Sequence, residues 1–320
     1  MNAIVDPIRQ AWLAQRRKGL GGSDVAAMLG LSKYRTPYQL WLDKTGRSED
    51  EGSGEAGYWG NALEDIVARE FSKRSGLKVQ RVNSIIQHPT LDFALANIDR
   101  AIVNPAIAGN VRIKDGRLTT DQILECKTAN QFLQNQWGDD HESIPDYYLT
   151  QCQWYLGNTQ ADICHLAVLI GGQKFKQYQI QRDDELIAIL HQEAQAFWQN
   201  HVLADMPPDP TTIDDCLHRW ARHTDGKVID ADQSLIDLIT EFKEMKSALK
   251  DGEEEADKLK LEIVKRLEDA ECIVIDGNKK LLSYKAQSSA RLDSKALKSA
   301  HPDIAEQFTK TTATRVLRMA

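Results

Sequence analysis

Residues 123–130 read ILECKTAN, a short apolar strand into which a carboxylate, Glu125, and an ammonium, Lys127, are set two positions apart. Alternate side chains of a strand point to opposite faces. The two charges therefore share one face with Ile123, while Leu124 and Thr128 point to the other. Such a strand belongs in a sheet with one face packed against apolar side chains and the other opened for charge. A strand ion pair is the plain explanation of the pattern. A metal site is the sharper one, and the triplet alone does not choose between them.

The remaining chain supplies the elements of such a sheet. WGNALEDIVAREFSKRSG (59–76) repeats Leu63, Ile66, Val67 and Phe71 at helical spacing, with Gly76 as its C-terminal stop. LDFALANIDRAIV (91–103) predicts a strand running into Asp99. Residues 104–121 form a turn-rich excursion with a hairpin signal at Asp115-Gly116. DQILECKT (121–128) predicts the next strand, DYYLTQCQWYLGNT (146–159) an amphipathic helix, and residues 161–172 and 174–183 two further strands. A long helix follows over roughly 184–204. This order predicts an α/β fold with a central mixed sheet flanked by helices.

The proline-rich ADMPPDPTT (204–212) is the expected domain boundary. It separates a domain of residues 1–210 from a C-terminal α+β appendage of residues 211–320, which carries no catalytic constellation. A heptad runs through Leu235, Leu238, Phe242, Met245, Leu249, Ala256, Leu259 and Ile263 and falters at Gly252 and Arg266. It predicts a long helix or a helical hairpin. Residues 271–286 read as a β-hairpin turning at Asp276-Gly277.

Composition narrows the functional classes. Over 320 residues, the 42% apolar and 27% charged content suits a soluble globular chain with a sizeable core. No apolar run reaches 18 residues, and the N-terminal stretch lacks the pattern of a signal peptide. The five cysteines are scattered without a CxxC pair, which argues against a disulfide framework and against zinc or iron–sulfur sites; a reducing cytoplasm, in a bacterial host or from a prophage, fits. The net charge is −7, yet residues 1–48 hold eight Lys/Arg against three acids and residues 279–320 hold nine against three. Nucleic-acid affinity needs a local basic surface rather than a basic total. Taken alone, these segments read as solvated charged faces. Trp12, Trp41, Trp59, Trp137, Trp154 and Trp198 are expected in the core, and His88, His141 and His165 lack metal-site spacing.

Four residues form a chemical set: Asp99 at a strand end, Glu125 and Lys127 on the next strand, and Glu64 beside the apolar stripe of the preceding helix. Mg²⁺ takes one or two carboxylates together with waters and substrate phosphates. Phosphodiester hydrolysis uses such an ion to neutralise the phosphate and to lower the pKa of the attacking water. A lysine nearby orients that water or stabilises developing charge. Each fragment alone is weak; their order is what gives them weight.

That order resembles the YqaJ-like phage recombination exonucleases, relatives of lambda exonuclease in the PD-(D/E)xK restriction-endonuclease-like superfamily. The resemblance is carried by GLGGSDVAAMLGLSKYRTPYQLWLDKTGR, GNALEDIVAREF, ANIDR, ILECKT and QCQWY, and spans about residues 10–205. It implies a restriction-endonuclease-like core with Asp99 and Glu125 as metal ligands, the Cys126 carbonyl completing the shell, Glu64 supporting it directly or through water, and Lys127 positioning the water. It also implies DNA contacts from Gln151, Gln153 and Tyr155, and a grip on the terminal 5′-phosphate by Arg16 and Ser23. A guanidinium offers phosphate two donors, and GLGGSD supplies flexible backbone with Ser23 or Asp24 as a helix N-cap. Ile98 stands where the family motif has proline. The implied activity is a Mg²⁺-dependent 5′-to-3′ exonuclease, with Mn²⁺ as a substitute, acting on double-stranded DNA ends. It would leave 3′ overhangs for a single-strand annealing recombinase and work as a ring-shaped homotrimer. Two alternatives stay open on the residues alone: an endonuclease of the same superfamily, and a non-catalytic DNA-binding or recombinase-recruiting module.

Overall fold

The computed structural model describes residues 7–48, 54–114, 117–138, 144–311 and 314–319. The chain divides into two compact units, Met1–Arg219 and Trp220–Ala320.

In the first unit, α1 (Pro7–Arg16), α2 (Gly22–Met28) and α3 (Pro37–Lys44) precede the long α4 (Gly54–Ser75). Local chemistry fixes these helices. Thr36 caps α3, its Oγ1 accepting from the Gln39 N–H at 3.1 Å while Gln39 Oε1 accepts from the Thr36 N–H at 3.1 Å, with Pro37 as the first helical residue. Gly76 ends α4 in the left-handed region, φ +74°, which glycine enters without steric cost. Short strands follow: β1 (Val79–Arg81), β2 (Ile86–Gln87), β3 (Leu95–Ala96) and β4 (Arg100–Ile102). A small ribbon, β5 (Ile113–Lys114) and β6 (Arg117–Leu118), leads into β7 (Gln122–Ala129). The expected turn residues Asp115-Gly116, like His141, lie outside the described residues. Helix α5 (Asp146–Thr159) crosses to β8 (Ile163–Ile170), and β9 (Lys174–Gln181) follows. The unit closes with α6 (Asp184–Phe197), prolonged by a π-turn over Trp198–Leu203, and α7 (Ile213–Arg219).

The main sheet has the order β1-β4-β7-β8-β9. β7 and β8 run parallel across the α5 crossover, and the other neighbours are antiparallel, so the sheet is mixed as expected. Period-two alternation divides β7 between two cores. Leu124 and Cys126 face Val67, Ala68 and Phe71 of α4. Ile123 faces the opposite cluster, which includes Trp154 and Leu156 of α5 and Leu190 of α6. Phe71 is enclosed on the α4 side, a burial that contributes roughly 1.5–3 kcal/mol.

Three expectations change. The strand predicted over 91–103 is two strands: β3 pairs with β2, β4 joins the main sheet, and the chain bends at Asn97–Asp99 between them. The break between units falls after α7 rather than in the proline segment. Asp215 of α7 is buried and accepts from Thr36 Oγ1 at 3.0 Å, while His218 Nδ1 meets the Tyr38 hydroxyl at 3.0 Å, which ties this helix to α3. Of the tryptophans, Trp41, Trp137 and Trp154 are buried, but Trp12 and Trp59 are 37% and 54% exposed.

The second unit contains α8 (Gln233–Leu267), the hairpin of β10 (Cys272–Ile275) and β11 (Lys279–Ser283), and the short helices α9 (Ser294–Ala300) and α10 (Pro302–Gln307). Of the two forms the heptad allowed, α8 takes the single helix and runs straight through Gly252. The hairpin turns at Asp276 (φ +53°) and Gly277 (φ +77°), the positive pair a type I′ turn requires.

Candidate active site

The antiparallel register of β4 on β7 sets Arg100 opposite Leu124 and Ala101 opposite Ile123. One step further along that register puts Asp99 opposite Glu125. Two carboxylates distant in sequence thus meet at the sheet's end, where β4 begins and the chain has just bent. Asp99 is held there by its Oδ2, which accepts the Cys126 N–H at 2.7 Å. The Cys126 thiol points to the α4 core instead, and burial pushes its pKa up. The thiol is therefore inert.

Glu125 is 3% exposed. Its Oε1 accepts from Lys127 Nζ and from Gln151 Nε2, both at 2.6 Å, and Gln151 Nε2 also lies 3.0 Å from the Tyr155 hydroxyl one turn along α5. Its Oε2 is buried and has no hydrogen-bond partner. Burial raises the Asp99 carboxyl well above its ordinary pKa and the Glu125 charge adds to this, against the pull of Lys127. Burial also raises Glu125, while Lys127 opposes it. Burial works against the Lys127 ammonium, yet Glu125 and Asp99 outweigh it and hold its pKa above the usual lysine value. Lys127 therefore stays charged at neutral pH and serves as a donor, not as a base. Its Nζ also lies 5.2 Å from the centre of the Tyr148 ring.

These groups line a cavity of about 310 Å³ whose walls include Arg16, Ser23, Glu64, Asp99, Glu125, Lys127, Gln151 and Tyr155. Leu20 builds the Arg16 wall: its N–H donates to the Phe93 carbonyl at 2.7 Å and its carbonyl accepts from Leu95 at 2.9 Å, strapping the glycine segment onto β3. Arg16 Nη2 donates to Ser23 Oγ at 3.0 Å, and the guanidinium sits 4.7 Å from the centre of the Trp12 ring. Beneath it Asp24 is buried, contacting Lys44 at 2.6 Å, Arg35 closely and Arg16 at 3.7 Å. Burial alone would raise Asp24, but Lys44, Arg35 and Arg16 together hold it far below the usual carboxylate range.

Several of the expected residues are also tied into the fold. Glu64 lines the cavity, but its Oε1 accepts from the buried Arg100 at 2.5 Å and lies 3.5 Å from Arg81. Arg100, which follows Asp99 in sequence, is the site residue the sequence reading gave no role. Gln153 does not reach the cavity: its Nε2 donates to the Gln181 carbonyl at 2.8 Å and its Oε1 accepts from the Asp183 N–H at 3.1 Å, pinning the β9–α6 junction. The α2 N-cap is Gly21, neither Ser23 nor Asp24; Asp24 closes back onto the Gly21 N–H at 2.8 Å. Gly22 is required by close approach rather than flexibility, since a Cβ there would lie 2.5 Å from Tyr155 Cε1.

Among the described residues no three His, Cys, Asp or Glu side chains converge on one metal position. Asp99 and Glu125 both line the cavity, and the buried unpaired Oε2 would suit a hard divalent cation that keeps waters or phosphate oxygens in its remaining positions.

This mixed sheet, with its paired carboxylates and lysine, belongs to a defined class: residues 11–162 match the YqaJ-like viral recombinase domain. The chain is a member of the YqaJ family, being 39% identical over 311 residues to YqaJ of Bacillus subtilis (strain 168), with 95% of this chain and 92% of that protein covered. Among solved structures, it is similar to an alkaline exonuclease (LHK-Exo) from Laribacter hongkongensis, at a TM-score of 0.47 and 20% identity, over 66% of this chain and 97% of that one. A phage-related exonuclease from Haemophilus somnus 129PT gives a TM-score of 0.45 and 14% identity, over 59% of this chain and 96% of that one.

Proposed function

We propose that this chain is a Mg²⁺-dependent deoxyribonuclease. It digests one strand of duplex DNA from an end in the 5′-to-3′ direction, and Mn²⁺ can replace Mg²⁺. The observation that carries the reading is the buried, unpaired Glu125 Oε2 beside Asp99, in a cavity walled also by Arg16 and Ser23. Asp99 and Glu125 would hold the cation, with the Cys126 carbonyl as a third oxygen and Glu64 acting through water. When bound, the ion neutralises the scissile phosphate and lowers the pKa of the attacking water. Lys127, kept protonated by its two carboxylate neighbours, orients that water and offsets charge on the phosphate. Gln151 and Tyr155 fix the Glu125 carboxylate, and Arg16 with Ser23 receives the terminal 5′-phosphate through charge-assisted hydrogen bonds.

The product is a 3′ overhang that a single-strand annealing recombinase would take up, in keeping with the viral recombinase family. The enzyme works in the cytoplasm as a homo-oligomer. The test is digestion of linear duplexes bearing 5′-phosphate or 5′-hydroxyl ends, with and without Mg²⁺. Preference for the phosphorylated end, loss without the ion, and resistance of closed circular DNA are expected. Equal cutting of closed circles would overturn the exonuclease reading in favour of an endonuclease, and absence of any Mg²⁺-dependent cleavage would leave a binding module.

A further inference from the structure

We propose that α8 pairs in parallel and in register with α8 of another copy of this chain. The proposal stands on the second compact unit and does not depend on the nuclease reading.

Helix α8 spans 35 residues and is N-capped by Asp232, whose Oδ1 accepts from the Leu235 N–H at 2.8 Å. Set out as heptads, its a positions fall at Leu235, Phe242, Leu249, Ala256 and Ile263, and its d positions at Leu238, Met245, Gly252 and Leu259. Leu238, Phe242, Met245, Leu249, Leu259 and Ile263 are all exposed, although they form one continuous apolar stripe. Ile239 flanks that stripe at an e position; Ile236 and Leu261 fall off it. Most helical stability in water comes from packing an apolar face, so a helix this long calls for a cover on its seam.

The flanking charges say what the cover is. The charged g positions are Glu241, Glu255 and Glu262, and the charged e positions are Lys246, Glu253 and Lys260, with Glu253 facing only the uncharged Ala248 in a parallel pair. In a parallel pair, each g residue faces the partner's e residue five positions on. Glu241 then meets Lys246 and Glu255 meets Lys260, each twice by symmetry. An antiparallel pair would set g against g, glutamate on glutamate. One helix thus supplies both halves of a parallel charge code, so the fitting occupant is another copy of itself. Glu255 already contacts Lys258 within the helix at 2.7 Å, an exposed pair that contributes little and is readily exchanged. Gly252 leaves the central d layer empty, with nothing within 4 Å of a Cβ there.

The test is disulfide cross-linking of the full chain with Cys216 and Cys272 replaced by serine; Cys126, Cys152 and Cys164 are buried. In a parallel coil, facing a residues bring their Cα atoms to about 6 Å, a span a disulfide bridges. Ala256→Cys should therefore give covalent dimers on mild oxidation, and Ser247→Cys, on the outer f position, should not. Lys246→Glu with Lys260→Glu should cut cross-linking at Ala256→Cys about tenfold, and adding Glu241→Lys with Glu255→Lys should restore it. In the Ala256→Cys background, Gly252→Leu should cross-link at lower protein concentration than Gly252→Ala, since only leucine fills the layer. No cross-linking of Ala256→Cys, equal cross-linking from Ser247→Cys, or a charge swap that fails to restore it would each overturn the proposal.

Discussion

Asp99, half-buried, and Glu125, buried, are two carboxylates facing one ammonium, an arrangement that leaves negative charge uncompensated in a poorly hydrated place. Their raised pKa values, from burial first and mutual repulsion second for Asp99, express that imbalance. A divalent cation relieves it, so binding should stabilise the fold even without substrate. At a Mg²⁺ concentration a hundred times its dissociation constant, the gain is about 2.7 kcal/mol for a single site. Thermal melts should show this rise in the wild type and its absence in Asp99→Asn; an equal rise in the variant would remove Asp99 from the metal shell. Lys127→Ala should fold normally yet lose about 10²–10³ in cleavage rate, the range for deleting one preorganised donor. Unchanged digestion by that variant would sink the assignment. Gly22→Ala tests a different physics. Its Cβ would strike the Tyr155 ring at 2.5 Å, whereas at Gly21 the nearest atom is 3.6 Å away. Overpacking at Gly22 should cost about 1–3 kcal/mol, and Gly21→Ala much less, in paired denaturant titrations.

At the scale of elements, β7, α4 and α5 were legible because each writes its period into its own residues: alternation around Glu125, and the stripe from Leu63 to Phe71, of which Val67 and Phe71 are buried while Ile66 is exposed. The bend at Asn97–Asp99 was not, since what splits 91–103 is that β3 folds back on nearby β2 while β4 pairs with Ile123 and Leu124 of β7, further along the chain. The misplacement of Gln153 had a readable signal. Residues two apart on a helix do not share a face, so Gln151 and Tyr155 can line one cavity while Gln153 cannot. Gly22's packing role had none, because it depends on α2 meeting α5. Burial within the sheet and its helices also sets a pH response. Desolvation lowers His165 and His191 to about 4. Both are neutral in the folded state, while in the unfolded chain they gain protons as pH drops through about 6.5. Through these two groups the unfolded state then binds more protons, so their contribution to stability should be level above that pH and decline as pH falls towards 4. His165→Gln, which leaves Phe71 and Gln122 in place, should flatten part of the decline in melting temperature between pH 6.5 and 4. An unchanged slope would exclude His165 as a source.

For the whole molecule, the question is where the catalytic unit ends. Every residue lining the carboxylate cavity lies before Arg182 in sequence, yet the first unit extends to Arg219 because α7 is bonded into it. Asp215 there is 1% exposed and accepts from Thr36 Oγ1 at 3.0 Å and from the Thr211 N–H at 3.2 Å. Thr36 is also the cap of α3, and α3 carries Lys44, whose ammonium reaches both Asp24 and, at 3.0 Å, the carbonyl of Arg16. A continuous set of contacts therefore leads from α7 to the residue proposed to grip the 5′-phosphate. A chain cut after Arg219 should keep its melting transition and its digestion of short duplexes. A chain cut after Pro210, where composition alone suggests the boundary, removes the Asp215 carboxylate and should lose about 1–3 kcal/mol. With α3 loosened beneath Arg16, its preference for 5′-phosphate ends should fall more than its cleavage of 5′-hydroxyl ends. Equal stability and equal end preference in the two truncations would show that α7 is not coupled to the site.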